Sequence, residues 1–165
     1  MPEVTISRDG WHIAVPKGMM QRTFPGCVMD KASGCYLMPL TKAGADYCRR
    51  MPVSESLRDM SLRLDKAHMY AMKMKTDENP IPWKPVPIRE PYQLYKHQIR
   101  AYNIALSMRS CAMFLDMGLG KTLISIMVAG RRYLDNRVQR VLVVAPASVC
   151  SVWEDEFPKF GNFPV

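Results

Sequence analysis

The sequence lacks the features that mark membrane, secreted and zinc-binding proteins. No apolar run approaches the ~18 residues of a membrane-spanning helix, and residues 1–5 do not begin a signal peptide. The five cysteines form no close Cys-x-x-Cys pairs, which argues against a zinc site. We therefore expect free thiols in a reducing compartment, which is cytoplasmic in a bacterial or phage setting and nuclear in a eukaryotic one.

The sequence also lacks several catalytic signatures. It contains neither a Gly-x-Ser-x-Gly nucleophile elbow nor a His-Glu-x-x-His zinc helix. It has no Asp-Glu-x-His box, and its acidic cluster at residues 154–156 belongs to a predicted helix in the wrong place to bind magnesium. Any phosphoryl-transfer site in these residues is therefore expected to be incomplete, so that the chain alone binds nucleotide without hydrolysing it.

Basic residues are abundant by contrast. The 165 residues carry a formal net charge of +8, and 48% of them are hydrophobic. A basic surface favours phosphate polyanions because their condensed counterions are released on binding. The charge is equally compatible with a soluble basic protein that binds no nucleic acid, since net charge does not specify a fold.

Composition divides the chain into three parts. Repeated prolines at residues 79–91 predict a semi-rigid extended linker, with a proline-rich recognition peptide as the alternative. Residues 1–78 predict a small α+β module, in which strands at 11–15 and 34–40 belong to a hairpin and Ser54 caps a long helix.

Residues 92–165 alternate between helical and strand patterns. Two continuously apolar runs, at residues 111–115 and 141–145, are typical of buried parallel strands, and helices are predicted at 92–107 and 122–134. A last helix is predicted to start at a cap formed by Ser148 or Ser151, with Glu154 completing a capping box from Ser151. This order predicts the opening of a doubly wound α/β nucleotide-binding fold with a parallel sheet.

The strongest chemical signal lies between the first of these strands and its helix. A triphosphate needs converging backbone N–H groups at a helix N-terminus, and glycines allow that close approach. Gly118 and Gly120 meet this need, the Lys121 ammonium would reach the phosphates, and the Thr122 hydroxyl would bind Mg²⁺. Leu115 stands where the general phosphate-loop pattern has its first glycine.

These residues resemble the superfamily 2 helicases, and within them the Swi/Snf-type DNA translocases. The resemblance covers residues 92 to 160. It is carried by three motifs: motif I at Met117-Gly118-Leu119-Gly120-Lys121-Thr122, a Q motif at Leu94-Tyr95-Lys96-His97-Gln98, and motif Ia at residues 143–149 with Trp153. Residues 24–40 are also similar to the HARP-type module that precedes the motor in annealing helicases.

The resemblance implies a RecA-like first lobe, here incomplete, that works with a second RecA-like lobe. It implies ATP and Mg²⁺ as cofactors and duplex DNA as the partner, with no membrane association. ATP would be bound by Gln98, pairing with adenine, and by residues 117–122, with Lys121 as the catalytic residue and Thr122 as the metal ligand. Gln93 is a rival to Gln98. The backbone of the DNA strand would be contacted by Pro146, Ala147 and Ser148.

Two other functions fit some of the same residues. A non-catalytic nucleic-acid-binding protein could retain the phosphate loop as an anion site. A small P-loop kinase or other NTPase is a third possibility, although such an enzyme would need neither Gln98 nor the segment around Trp153.

Overall fold

The computed structural model describes residues 2–20 and 23–164, and the chain divides into two compact units, Met1–Met69 and Tyr70–Val165. The predicted division into parts at 1–78, 79–91 and 92–165 stays a prediction. Each unit has its own cluster of buried apolar side chains.

The first unit contains a four-stranded antiparallel sheet. Its strands are β1 (Thr5–Ile6), β2 (His12–Pro16), β3 (Val28–Asp30) and β4 (Cys35–Pro39). The spatial order is β1-β2-β4-β3, so that the turn at residues 31–34 joins β3 to β4, while β2 pairs with β4. Ile13 and Val15 of β2 are buried and alternate with partly exposed residues, as expected for a strand with one face on the core.

Two helices follow the sheet in the chain. They are α1 (Lys42–Cys48) and α2 (Glu55–Lys75). The Thr41 hydroxyl accepts a hydrogen bond from the Gly44 amide (3.2 Å) and caps α1. The Ser54 hydroxyl accepts one from the Leu57 amide (3.4 Å), which confirms the predicted cap of the long helix. Leu57 is almost fully buried in the core of the first unit.

Helices form the second unit. They are α3 (Lys96–Ser107), α4 (Lys121–Leu134) and α5 (Ala147–Phe160). The helix predicted at 122–134 is confirmed as α4, whereas α3 begins four residues later than predicted. The N-cap of α5 is Pro146, without a side-chain cap, so the predicted serine cap and the capping box with Glu154 are wrong. Proline has a fixed φ suited to the start of a helix, which explains the earlier start.

The predicted parallel sheet is absent from the described residues, whose only sheet is antiparallel. Residues 111–115 and 141–145 belong to no strand, and none of their backbone N–H groups donates to another backbone group in the described chain. Met113 and Leu115 pack against the core, whereas Phe114, Leu142 and Val144 are 95%, 88% and 89% exposed. The physical reason is that a strand forms only beside a partner, and neither segment has one here.

The proline-rich residues lie against α3 in the second unit. The buried Asn103 side chain accepts a hydrogen bond from the Trp83 amide (2.8 Å) and donates one to the Ile81 carbonyl (2.8 Å). The Tyr102 hydroxyl donates to the Pro85 carbonyl (3.2 Å), and burial raises the pKa of Tyr102 to about 12. These hydrogen bonds provide partners for backbone groups of the proline-rich segment, which forms neither a helix nor a sheet strand.

Candidate functional site

The predicted phosphate loop is a tight turn that ends at the N-terminus of α4. The Leu119 amide donates to the Asp116 carbonyl (3.4 Å), and the first bond of the helix runs from the Ile124 amide to the Gly120 carbonyl (3.0 Å). Gly120 is the N-cap residue of α4. The first amides of α4 have no partner inside the helix, so this end can receive an anion.

Both glycines of the loop have a left-handed backbone. The φ angles are +80° at Gly118 and +79° at Gly120, a region that side chains with a Cβ rarely adopt. A Cβ at Gly118 would meet nothing within 4 Å, whereas a Cβ at Gly120 would lie 2.4 Å from Nε2 of Gln98. The backbone conformation alone therefore favours glycine at position 118. At position 120, glycine is favoured both by the conformation and by the Gln98 side chain packed against it.

Gln98 lies against the phosphate loop although 21 residues separate it from Leu119. Its side chain is 5% exposed. Oε1 accepts a hydrogen bond from the Tyr95 amide (3.0 Å), and Nε2 donates one to the Leu119 carbonyl (3.3 Å). A carboxamide can donate two hydrogen bonds and accept two, so one donor and one acceptor of Gln98 remain. The rival Gln93 is exposed and precedes α3.

Two neighbours of Gln98 were given no role by the sequence. His97 places Nε2 3.2 Å from the same Leu119 carbonyl, and its ring stacks on that of Tyr95, with 6.0 Å between centroids and an interplanar angle of 10°. The sequence places both residues within one turn of Gln98, at the N-terminus of a predicted helix. This position alone does not predict a contact with a loop more than twenty residues away.

Lys121 is the first residue of α4, and its ammonium group already has two partners. Nζ donates to the carbonyls of Leu115 (2.8 Å) and Asp116 (3.0 Å), at the start of the loop. The side chain therefore folds back over the loop. A phosphate that bound the ammonium would compete with two carbonyl oxygens, which are weaker partners for a cation than a charged oxygen.

The remaining predicted nucleotide contacts surround this turn. Thr122 is half-buried in the first turn of α4, and its side chain makes no hydrogen bond within the described part of the chain. Met117 is 95% exposed and Leu119 is 36% exposed. The structure thus brings Gln98, the loop and the start of α4 together.

The predicted DNA contacts lie elsewhere in the second unit. Pro146, Ala147 and Ser148 are exposed at the N-terminus of α5, and no hydrogen bond joins them to the phosphate loop within residues 70–164. Trp153 of the same helix is partly buried and packs against the core beside Phe157 (6.1 Å between ring centroids). An isolated aromatic on a helix commonly packs in this way.

Other polar groups of the second unit have structural roles. Asp135, at the C-terminal end of α4, accepts hydrogen bonds from the Lys84 ammonium and the Arg131 guanidinium. The hydrogen bond from Lys84, followed by that from Arg131, holds the pKa of the Asp135 carboxyl below its ordinary value. Residues 2–20 and 23–164 contain no group of three His, Cys, Asp or Glu side chains that could hold a metal ion. Within the same ranges, no helix is both long and apolar enough to span a bilayer.

Comparison with known proteins identifies the family. A model of the SNF2-related domain matches residues 30–164, a match that begins well before residue 92, where the helicase motifs begin. No curated protein and no solved structure gives a significant match. The match to this domain supports membership of the Swi/Snf helicase-like superfamily. The HARP-like module at the N-terminus stays a prediction. With four fifths of its residues matched, the chain belongs to the SNF2-related domain family.

Proposed function

We propose that this chain forms part of the nucleotide site of an ATP-dependent DNA translocase. The observation that carries the proposal is the packing of Gln98 against Gly120 at the N-terminus of α4 (Cβ to Nε2 distance of 2.4 Å if Gly120 had a side chain). Two left-handed glycines, a free helix N-terminus and a lysine at its first position form a turn suited to phosphate oxygens.

The residues of the turn divide the work of holding ATP. Backbone amides at the N-terminus of α4, which have no partner inside the helix, would donate to the phosphates, and Lys121 would exchange its two carbonyl partners for phosphate oxygens. The unengaged hydroxyl of Thr122 fits a ligand of Mg²⁺, an ion that would neutralise phosphate charge. The free donor and free acceptor of the Gln98 amide match the donor and acceptor pattern of adenine.

DNA is the proposed macromolecular partner. Pro146, Ala147 and Ser148 are exposed at a helix N-terminus, where the free amides can bind a backbone phosphate without reading the bases. Hydrolysis coupled to movement would also require a magnesium carboxylate and a second RecA-like lobe, neither of which these 165 residues supply.

The second candidate is a nucleic-acid-binding protein that uses the loop only as an anion site. Two features favour it: the net charge of +8 and the helix N-terminus at the loop both suit an anion without requiring a metal. The two candidates differ in whether the loop distinguishes a nucleoside triphosphate from simple anions such as sulfate.

Calorimetric titration with ATP tests the proposal. We expect weak binding that is lost in Lys121→Ala, because the substitution removes the cation at the phosphates while leaving the exposed helix start intact. Lys75→Ala is the matched control, since Lys75 is an exposed lysine of the same unit at the end of α2. Equal affinity of the two variants and the unaltered chain would exclude the phosphate-loop assignment.

A further inference from the structure

Trp83 is an exposed aromatic side chain on an extended stretch whose backbone is held in place. Residues 80–86 alternate between more buried and more exposed positions, and Trp83, at 54% exposed, lies on the open side. Its amide donates to Oδ1 of the fully buried Asn103 (2.8 Å), and Nδ2 of the same side chain donates to the Ile81 carbonyl (2.8 Å). The prolines of this stretch also fix φ, so the backbone below the indole has little freedom.

The indole ring has one aromatic neighbour. It lies against Tyr70 of α2, with 5.7 Å between ring centroids and an interplanar angle of 47°. Single exposed aromatic residues are common on protein surfaces, so exposure alone indicates no function. Trp83 differs from such a residue because its backbone and one side of its ring are fixed while half of its surface stays open. A ring held in this way loses little freedom when a second flat group stacks on it.

Ammonium groups lie close to this ring pair. Lys73 is one turn beyond Tyr70 on the same face of α2, because residues three apart are neighbours on a helix. The Lys96 ammonium, at the start of α3, donates to the side-chain oxygen of Asn79 (2.8 Å), just before the stretch that carries Trp83. Both lysines are exposed, and in the described ranges neither forms an ion pair with a carboxylate.

The nearby acidic residues do not cancel this charge. Asp77 and Glu78 are the acidic residues between Tyr70 and Trp83 in the sequence. Against them stand Lys73, Lys96 and Arg100, whose guanidinium donates to the Asp77 carbonyl, while Lys84 is paired with Asp135. The surface around Trp83 therefore keeps a cationic excess, in a chain whose net charge is +8.

An open aromatic ring beside free ammonium groups suits single-stranded nucleic acid. Sites for single strands combine aromatic rings, on which bases stack, with cations that follow the phosphates. A duplex has its bases stacked on one another and offers no free base face to an indole. The centres of protein–protein interfaces are also rich in tryptophan, but they are poor in lysine, so the charges around Trp83 favour a nucleic acid.

We propose that Trp83 stacks on an unpaired base of single-stranded DNA, with Lys73 and Lys96 bound to the flanking phosphates. The choice of DNA rests on the proposed function. The contacts proposed there, at residues 146–148, are to the DNA backbone and do not distinguish paired from unpaired bases. Trp83 supplies that distinction through residues that take no part in the phosphate loop.

The test compares a ten-residue thymidine oligonucleotide with a DNA duplex, by fluorescence anisotropy of labelled DNA at one fixed salt concentration. For Trp83→Ala we expect the affinity for the single strand to fall about tenfold, the effect of losing one stacked base. The affinity for the duplex should change by less than about twofold. Trp11→Ala is the matched control, because Trp11 is a tryptophan of similar exposure (59%) in the first unit, and it should change neither affinity.

Tryptophan fluorescence separates stacking from a structural effect. A base stacked on an indole quenches its emission, so the single strand should quench the unaltered chain and Trp11→Phe. The quenching should disappear in Trp83→Phe, which keeps a ring able to stack and should keep most of the affinity. Lys73→Ala should preserve the quenching at saturation and lower the slope of log affinity against log salt concentration by about 0.7, the value for one phosphate contact on a single strand.

Several results would overturn the inference. Quenching that persists in Trp83→Phe would place the base elsewhere. Equal weakening of single strand and duplex by Trp83→Ala would assign the residue to the fold. If the single strand did not bind at all, the proposal would be wrong, and the exposed indole would instead fit a protein partner.

This inference and the proposed function fail in different ways. If ATP binds and Lys121→Ala abolishes that binding, but the single strand causes no quenching at Trp83, only the stacking site is wrong. If the single strand quenches Trp83 but ATP does not bind, the stacking site stands and the phosphate-loop assignment is wrong.

Discussion

Gly120 combines two requirements in one residue, a left-handed backbone and room for the Gln98 amide. Its φ is +79°, and an added Cβ would lie 2.4 Å from Gln98 Nε2. Gly118 shares the conformation, but nothing lies within 4 Å of its Cβ position. The two glycines therefore form a natural comparison, because only one of them depends on a neighbour.

We predict that Gly120→Ala destabilises α4 by about 1 kcal/mol more than Gly118→Ala does. Both substitutions cost about 1–2 kcal/mol for a left-handed alanine. Gly120→Ala also displaces Nε2 of the buried Gln98 side chain and so disturbs its hydrogen bond to the Leu119 carbonyl, a bond with a net value of about 1 kcal/mol. Native-state hydrogen exchange of the α4 amides measures both effects. In a Gln98→Ala background the difference should disappear, and its persistence there would show that the amide is not the cause.

Asp135 provides a prediction about pH. A carboxyl whose pKa is lowered in the folded state contributes stability above the unfolded-state pKa of about 4, and this contribution is lost as the pH falls. Asp135→Asn removes the charge that Lys84 and Arg131 face. The variant should therefore unfold at a lower urea concentration than the unaltered chain at pH 7, and the two midpoints should approach each other as the pH is lowered from 7 to below about 4. A gap that stays constant between these pH values would contradict this role.

At the scale of elements, helices could be predicted from the sequence and the sheet partners could not. The apolar spacing at residues 122–134 gave α4 to within one residue, because an amphipathic helix is specified by its own sequence. The runs at 111–115 and 141–145 have the composition of strands, but strand formation requires a second segment, and no local pattern supplies one. The short strands β1 and β3 gave too weak a signal to be predicted.

For the candidate site too, features that are local in the sequence could be predicted, and contacts between distant segments could not. Glycine spacing before a helix identified residues 118–122, since the chemistry of a phosphate turn is local in sequence. The engagement of Gln98 by the Leu119 carbonyl, and the stacking of Tyr95 on His97, depend on how α3 packs beside the loop. Such contacts between distant segments are properties of the fold, and one sequence does not reveal them.

At the scale of the whole molecule, the second unit exposes large apolar side chains in residues 111–115 and 141–145, which form neither helix nor strand. Phe114, Leu142 and Val144 are each at least 88% exposed, and the backbones beside them make no sheet hydrogen bonds in the described chain. Apolar patches of this kind, next to backbone groups without sheet partners, promote association.

We predict that the chain self-associates through these segments. Sedimentation velocity over a range of concentrations should show reversible oligomers that decrease in Phe114→Lys and in Val144→Lys, because a charged side chain blocks the pairing of edges. Ile81→Lys is the control, since Ile81 is 80% exposed but lies in the proline-rich segment. A strictly monomeric unaltered chain, or an equal effect of Ile81→Lys, would contradict this prediction.

Hydrogen–deuterium exchange with and without ATP tests the central claim most directly, because it locates the nucleotide without any substitution. The claim is that the turn ending at Gly120 binds the phosphates while the Gln98 amide pairs with the base. We predict slower exchange on ATP binding at residues 116–122 and 95–98, with only the first segment protected by tripolyphosphate. Protection by ATP that omits residues 116–122, or that is confined to the first unit, would contradict the account.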